Sequence, residues 1–223
     1  TNWNVGANWD TNNAPGAGDT ATINNAGLGN QPNVNTNQTA LQTNVSAGVL
    51  TVTATLTSAV AVTGTGNVVI VSGGEIAGNV TMSGTDITNG GTLSGTLTVT
   101  AGVVNNAGIV TGTTTVSGGT LNLNTGTNLG NAAALVVNGG TVNVNASDTV
   151  GALSGTGGLI DIDASQSLTS SSASNGTYDG VIGGLGSFVK DGSGTLTLTG
   201  ANTISGATTV NAGKLTVTGS IAS

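Results

Sequence analysis

Three consecutive stretches, GEIAGNVTMSGTDITNG (residues 74–90), GTLSGTLTVTAGVVNNA (91–107) and GIVTGTTTVSGGTLNLN (108–124), align without a gap at 17 residues each. The third position reads Ile76, Leu93 and Val110, and the fifth reads Gly78, Gly95 and Gly112. The ninth reads Met82, Val99 and Val116, and the fourteenth Ile87, Val104 and Leu121. Self-similarity at a short fixed period marks a repeat architecture. Within each stretch apolar and polar residues alternate, as in Leu97-Thr98-Val99-Thr100, and period 2 sends successive side chains to opposite faces of a strand. No stretch shows helical spacing with caps. The pattern predicts an all-β chain whose short strands are the coils of a parallel β-solenoid, each paired with the strands above and below at roughly 4.8 Å. Like residues then stack on like, with aliphatics inside, ladders of Thr and Asn outside, and Gly and Asn at positive-φ corners. An antiparallel sandwich is the alternative for a Thr- and Gly-rich chain. Hairpins, however, need tight two-residue turns between long strands, whereas these runs are short and hold their phase.

A looser phrase, Val-x-[Gly/Ala]-Gly-x-[Leu/Val], recurs at 45–50, 99–104, 116–121, 137–142 and 210–215, so the periodicity extends beyond the aligned block. Composition agrees with it. Forty threonines and 39 glycines make up over a third of the 223 residues, and Pro15 and Pro32 are the only prolines, which leaves ladder pairing unobstructed. One Phe, one Tyr and two Trp cannot fill a broad globular core, but stacked Val, Leu, Ile and Ala can fill a narrow one. Nine acids stand against Lys190 and Lys214, with no Arg or His, giving a formal charge of −7. Nucleic acid and anionic membranes are therefore not expected partners, since both require clustered cations. No apolar run is long enough to span a bilayer as a helix. Cysteine is absent, which excludes disulfides and thiolate metal sites and fits an exported protein. The chain starts at Thr1 without a leader and reads as a mature or excised piece.

Towards the C-terminus the sequence NGTYDGVIGGLGSFVKDGSGTLTLTGANTISGATTVNAGKLTV (175–217) resembles the passenger-associated transport repeat of bacterial autotransporters. The resemblance is carried first by Tyr178, Gly180, Ile182, Lys190, Gly192, Gly194, Thr195, Leu196 and Leu198. It continues through Gly200, Ala201, Asn202, Thr203, Gly206, Thr209, Val210, Gly213 and Leu215, and departs at Ile204, where the family usually has an aromatic residue. The opening NWNVGANWDTNNAPGAGDTATI (2–23) resembles the Trp-rich starts of such passengers. The resemblance implies a right-handed parallel β-helix, exported and displayed on, or released from, a Gram-negative surface. It also implies a C-terminal outer-membrane β-barrel, which this sequence, stopping at GSIAS, does not contain. The expected organisation is an N-terminal cap and first coil (1–35), irregular coils carrying the 17-residue repeat (36–163), and repeat-like coils of the same solenoid (164–223). Together these should make roughly eleven to thirteen coils, given the length of one repeat.

Candidate sites are few. LIDIDAS (159–165) sets Asp161 and Asp163 two apart, which in a strand places both carboxylates on one face about 6.5–7 Å apart. That separation overlaps the inverting glycosidases, but the preceding coil offers only Asn143 and Asn145, and no base or cation accompanies the pair. Ladder residues are the preferred reading, with a weak Ca²⁺ site second. Asp10 and Asp19 read as turn caps rather than as Ca²⁺ ligands, because no loop has densely spaced acids. GALSGTGG (151–158) lacks the Lys-Ser/Thr ending of a phosphate loop and reads as corners. Trp3 and Trp9 read as a cap over an open solenoid end, with sugar stacking as the functional alternative. Lys190 and Lys214 are expected on corners or outward ladders. No catalytic residue, cofactor or resident metal is assigned.

The function expected is that of an extracellular structural or adhesive surface solenoid, not an enzyme. It would act through Thr and Asn ladders on cell-surface partners, glycans or copies of itself, including head-to-tail filaments. The alternatives are a polysaccharide-active β-helix resting on Asp161 and Asp163, and an ice-binding solenoid resting on Thr96/Thr98, Thr113/Thr115 and Asn79/Thr81.

Overall fold

A computed structural model describes residues 3, 13–24, 32–58, 62–84, 86–126 and 128–221. The chain winds as a β-solenoid in which every strand pairing is parallel. It makes about ten turns. That is fewer than the spacing predicts, because coils outside the aligned block are longer than 17 residues. Thr114 to its partner Leu135, for example, takes 21.

Three short strands per turn form three faces. The first is an eight-stranded sheet from Thr20–Asn24 to Leu153–Ser154, and the second a nine-stranded sheet from Asn33–Val34 to Val181–Gly184. The third face is divided. One sheet ends at Ile109–Val110, and another begins at Asp148–Val150. The 17-residue phase appears as register. Val80 pairs with Leu97 and Leu97 with Thr114, while Ile87 pairs with Val104 and Val104 with Leu121. Period 2 becomes alternating burial, so one apolar cluster runs unbroken from Trp3 to Ile204. Ile76, Leu93 and Val110 stack in it, as do Val99 and Val116; the Met82 side chain lies outside the described part.

Two glycine positions set the corners. In the recurring phrase the invariant glycine (Gly48, Gly102, Gly119, Gly140 and Gly213) has φ between 67° and 83° in every copy, a conformation in which a Cβ is strained. Gly95 and Gly112 serve differently. A Cβ on Gly112 would lie 2.3 Å from the Gly95 carbonyl oxygen, so their job is close approach between coils. Among the described residues asparagine does not supply positive-φ corners as expected. Among the described residues the non-glycine example is Ser165, at 64°.

Nor are all asparagines outside. Asn89, Asn106 and Asn128 are buried, where each amide satisfies another polar group. Asn89 Nδ2 donates to Asn106 Oδ1 (2.7 Å), and Asn106 Nδ2 donates to the Asn128 carbonyl (3.2 Å). Asn128 Oδ1 accepts from the Asn124 amide at 3.1 Å, bracing the 124–134 loop.

Candidate functional site

The outward column of the first face reads Thr22, Asn44, Thr63, Thr81, Thr98, Thr115, Val136 and Ser154, each the Cα partner of the next. None of the strands of this eight-stranded sheet contains a charged residue. The threonines alternate with buried residues and are partly exposed. Each presents a hydroxyl that both donates and accepts, beside a methyl group. Thr81, Thr98 and Thr115 stand in register, as the Thr-row reading requires, and Thr63 extends the row by one coil.

The second face carries an asparagine ladder. Asn122 Nδ2 donates to Asn105 Oδ1 (2.8 Å), and Asn143 Nδ2 to Asn122 Oδ1 (2.7 Å). A parallel rung joins Asn145 Nδ2 to Asn124 Oδ1 at 2.8 Å. Asp161 continues the column above Asn143, with Gly183 beyond it. Asp163 does not join Asp161 on a strand. The strand ends at Ile162, and Asp163 opens a turn, its carbonyl accepting from the Gln166 amide at 3.0 Å. The ladder nonetheless carries one bond further, the Asp163 amide donating to the Val144 carbonyl at 3.1 Å, and burial alternates through Asp161, Ile162 and Asp163, so both acids lie on the outward side. Among the described residues no three His, Cys, Asp or Glu side chains gather as a metal site would require.

Asp19 is a turn cap as read, its Oδ2 accepting from the Gly16 amide at 2.9 Å. Asp10 and Trp9 lie outside the described residues. Trp3 is buried at the start of the core, and its amide donates to the Asn33 carbonyl at 3.0 Å. Gly155 and Gly158, in the supposed phosphate-loop mimic, are positive-φ corners.

The Lys190 expectation is overturned. Lys190 points inward, only 2% exposed, and its Nζ donates to the carbonyls of Asp191 (2.5 Å), Gly192 (2.8 Å) and Ala212 (3.4 Å). Three N–H donors meet three backbone acceptors from two successive coils, which is how a buried ammonium keeps its charge tolerable. Lys214 is exposed on the strand Lys214–Val217. Two neighbours have the same structural character, and sequence reasoning took them only as parts of a motif. The buried Tyr178 hydroxyl donates to the Gly158 carbonyl at 3.1 Å, and burial raises its pKa well above the ordinary tyrosine value. Asn202 bridges coils, its Oδ1 accepting from the Ile182 amide (2.9 Å) and its Nδ2 donating to the Ser220 carbonyl (3.0 Å). Ile204, the departure from the family pattern, is buried in the core.

Lys190, Asn202 and Ile204 lie within a stretch that matches a known family. Residues 188–217 match the family described as Passenger-associated-transport-repeat. Over 91 residues, 39% of this chain, the sequence is 43% identical to a protein named adhesin BmaC autotransporter, from Brucella suis biovar 1 (strain 1330). The chain's match spans about 3% of that relative's length. No solved structure matches.

Proposed function

We propose, from a chain that carries an autotransporter passenger-associated repeat on a β-solenoid, that it is an adhesive segment of a secreted, cell-surface protein. The observation that carries this reading is the first face, an uncharged plane of hydroxyls and methyls repeated from coil to coil. On a molecule with net charge −7, such a plane meets another surface without setting acid against acid. Each contact is weak, and repetition along the axis multiplies them. Copies of the chain associate with one another by the same means. The chain works by contact and performs no catalysis.

The test displays the chain on a carrier bacterium that does not adhere by itself and counts retention on epithelial monolayers. Retention rises above the carrier. It returns to the carrier's level in the double variant Thr63→Lys/Thr98→Lys, which puts two cations on the plane while circular dichroism stays unchanged. Equal retention of carrier, chain and variant would remove the reading.

A further inference from the structure

The interruption of the third face leaves a shallow recess on the outer surface of the solenoid, over a core that stays closed at Val110, Leu129 and Leu135. Two consecutive coils repeat at 17 residues, but the next, from Thr114 to Leu135, takes 21. The added residues fall in the 124–134 loop, whose described β-bridge to the coil below joins Val110 to Leu129. Backbone hydrogen bonds close the two coils at Gly130 and at Ala134. The Gly130 amide donates to the Val110 carbonyl (2.7 Å) and the Thr114 amide to the Ala134 carbonyl (2.9 Å). Between those points no backbone hydrogen bond joins 111–113 to 131–133. The coils part there around a shallow groove of about 560 Å³ that is open to solvent.

The lining fixes the chemistry of the occupant. Thr111, Thr113 and Asn131 bring hydroxyls and an amide, Ala132 and Ala134 bring methyls, and no lining residue is charged or aromatic. Neutral donors and acceptors mixed with small apolar groups suit a ring that carries hydroxyls at its rim and C–H groups on its face. No cation answers an acidic sugar here. Lys190 is enclosed by carbonyls in a later coil, and Lys214 lies further along the chain still. Phosphorylated, sulfated and carboxylated ligands would also meet the chain's excess of acids.

We propose that this groove binds one neutral pyranose residue of a surface glycan. The proposal rests on the adhesive reading and names a ligand class for it. Without an aromatic platform each site is weak, and retention depends on many copies engaging at once.

The test uses beads coated with the whole chain on an array of neutral oligosaccharides ending in glucose, galactose, mannose or N-acetylglucosamine. Sialylated and sulfated versions of the same oligosaccharides form the second arm. Beads are retained on at least one neutral glycan and lose retention on its acidic counterpart. Thr111→Val/Thr113→Val removes both hydroxyls while keeping branched side chains, and should lower retention about tenfold. Asn131→Ala, at an exposed loop position, should lower it in the same direction should the double variant fold poorly. Binding to no glycan, equal binding to acidic ones, or retention indifferent to both variants would overturn the proposal. Cell adhesion that persists in the groove variants without glycan binding would sink the groove and leave the adhesive reading standing. Glycan binding without cell adhesion would do the reverse.

Discussion

At Lys190 the side chain continues an inward row begun by Phe188, two residues earlier in the strand Ser187–Asp191. Its stem packs as an aliphatic would, and its ammonium reaches the corner, where three carbonyls point inward. Lys190→Met keeps the stem and strips those carbonyls of their donor. Relief from burying a charge offsets part of that loss, leaving a destabilisation of about 2 kcal/mol. A lower denaturant midpoint at unchanged slope is the expected reading, and an unmoved midpoint would mean the carbonyls find water instead. The inward place of Lys190 was legible in its parity with Phe188. Charge argued the other way, because lysine is almost never buried unless its donors are met, and those acceptors come from residues up to 22 positions away. The same distance hid Asn202, whose partners sit 18 and 20 residues off on neighbouring coils.

Among the elements, the corners decide which coils stack tightly. Gly112→Ala would force its Cβ to 2.3 Å from the Gly95 carbonyl oxygen and push two coils apart. Overpacking of this kind costs about 1–3 kcal/mol. Gly84→Ala meets nothing closer than 3.6 Å, on a Thr65 side chain, and should be nearly neutral. Thermal melts of the two variants make the comparison, and equal losses would show that coil spacing adapts freely. The aligned block could be read from sequence because its three coils keep one length, so equivalent residues fall at equal intervals. The 124–134 loop could not. Its path depends on Asn128 and on Asp148, whose carboxylate accepts the Leu129 amide at 2.9 Å from the next coil, and no local pattern announces either contact.

Taken whole, the molecule is a stack in which each coil touches chiefly its neighbours, so its interior and its faces both extend by addition. The strands of the first face hold no charged residue, and attraction between copies there owes little to ion pairs. The proposed association of copies should therefore persist from low to high salt, although at about 0.1 M charges more than about 10 Å apart are already screened. Light scattering across protein concentration and ionic strength reads it directly. Monomers at every concentration would end the association proposal, and dissolution by salt alone would end its physical basis. Parallel pairing has a further consequence under load. The strands lie across the long axis, so the hydrogen bonds between coils point along it and a pull on that axis stretches them directly. Such bonds give way one coil at a time, like a zipper, instead of failing together in shear. A 17-residue coil that adds roughly 4.8 Å to the stack pays out nearly 60 Å of chain when it opens. A pull on the long axis therefore lengthens the solenoid many-fold before its backbone is taut, while the coils not yet opened keep their faces intact.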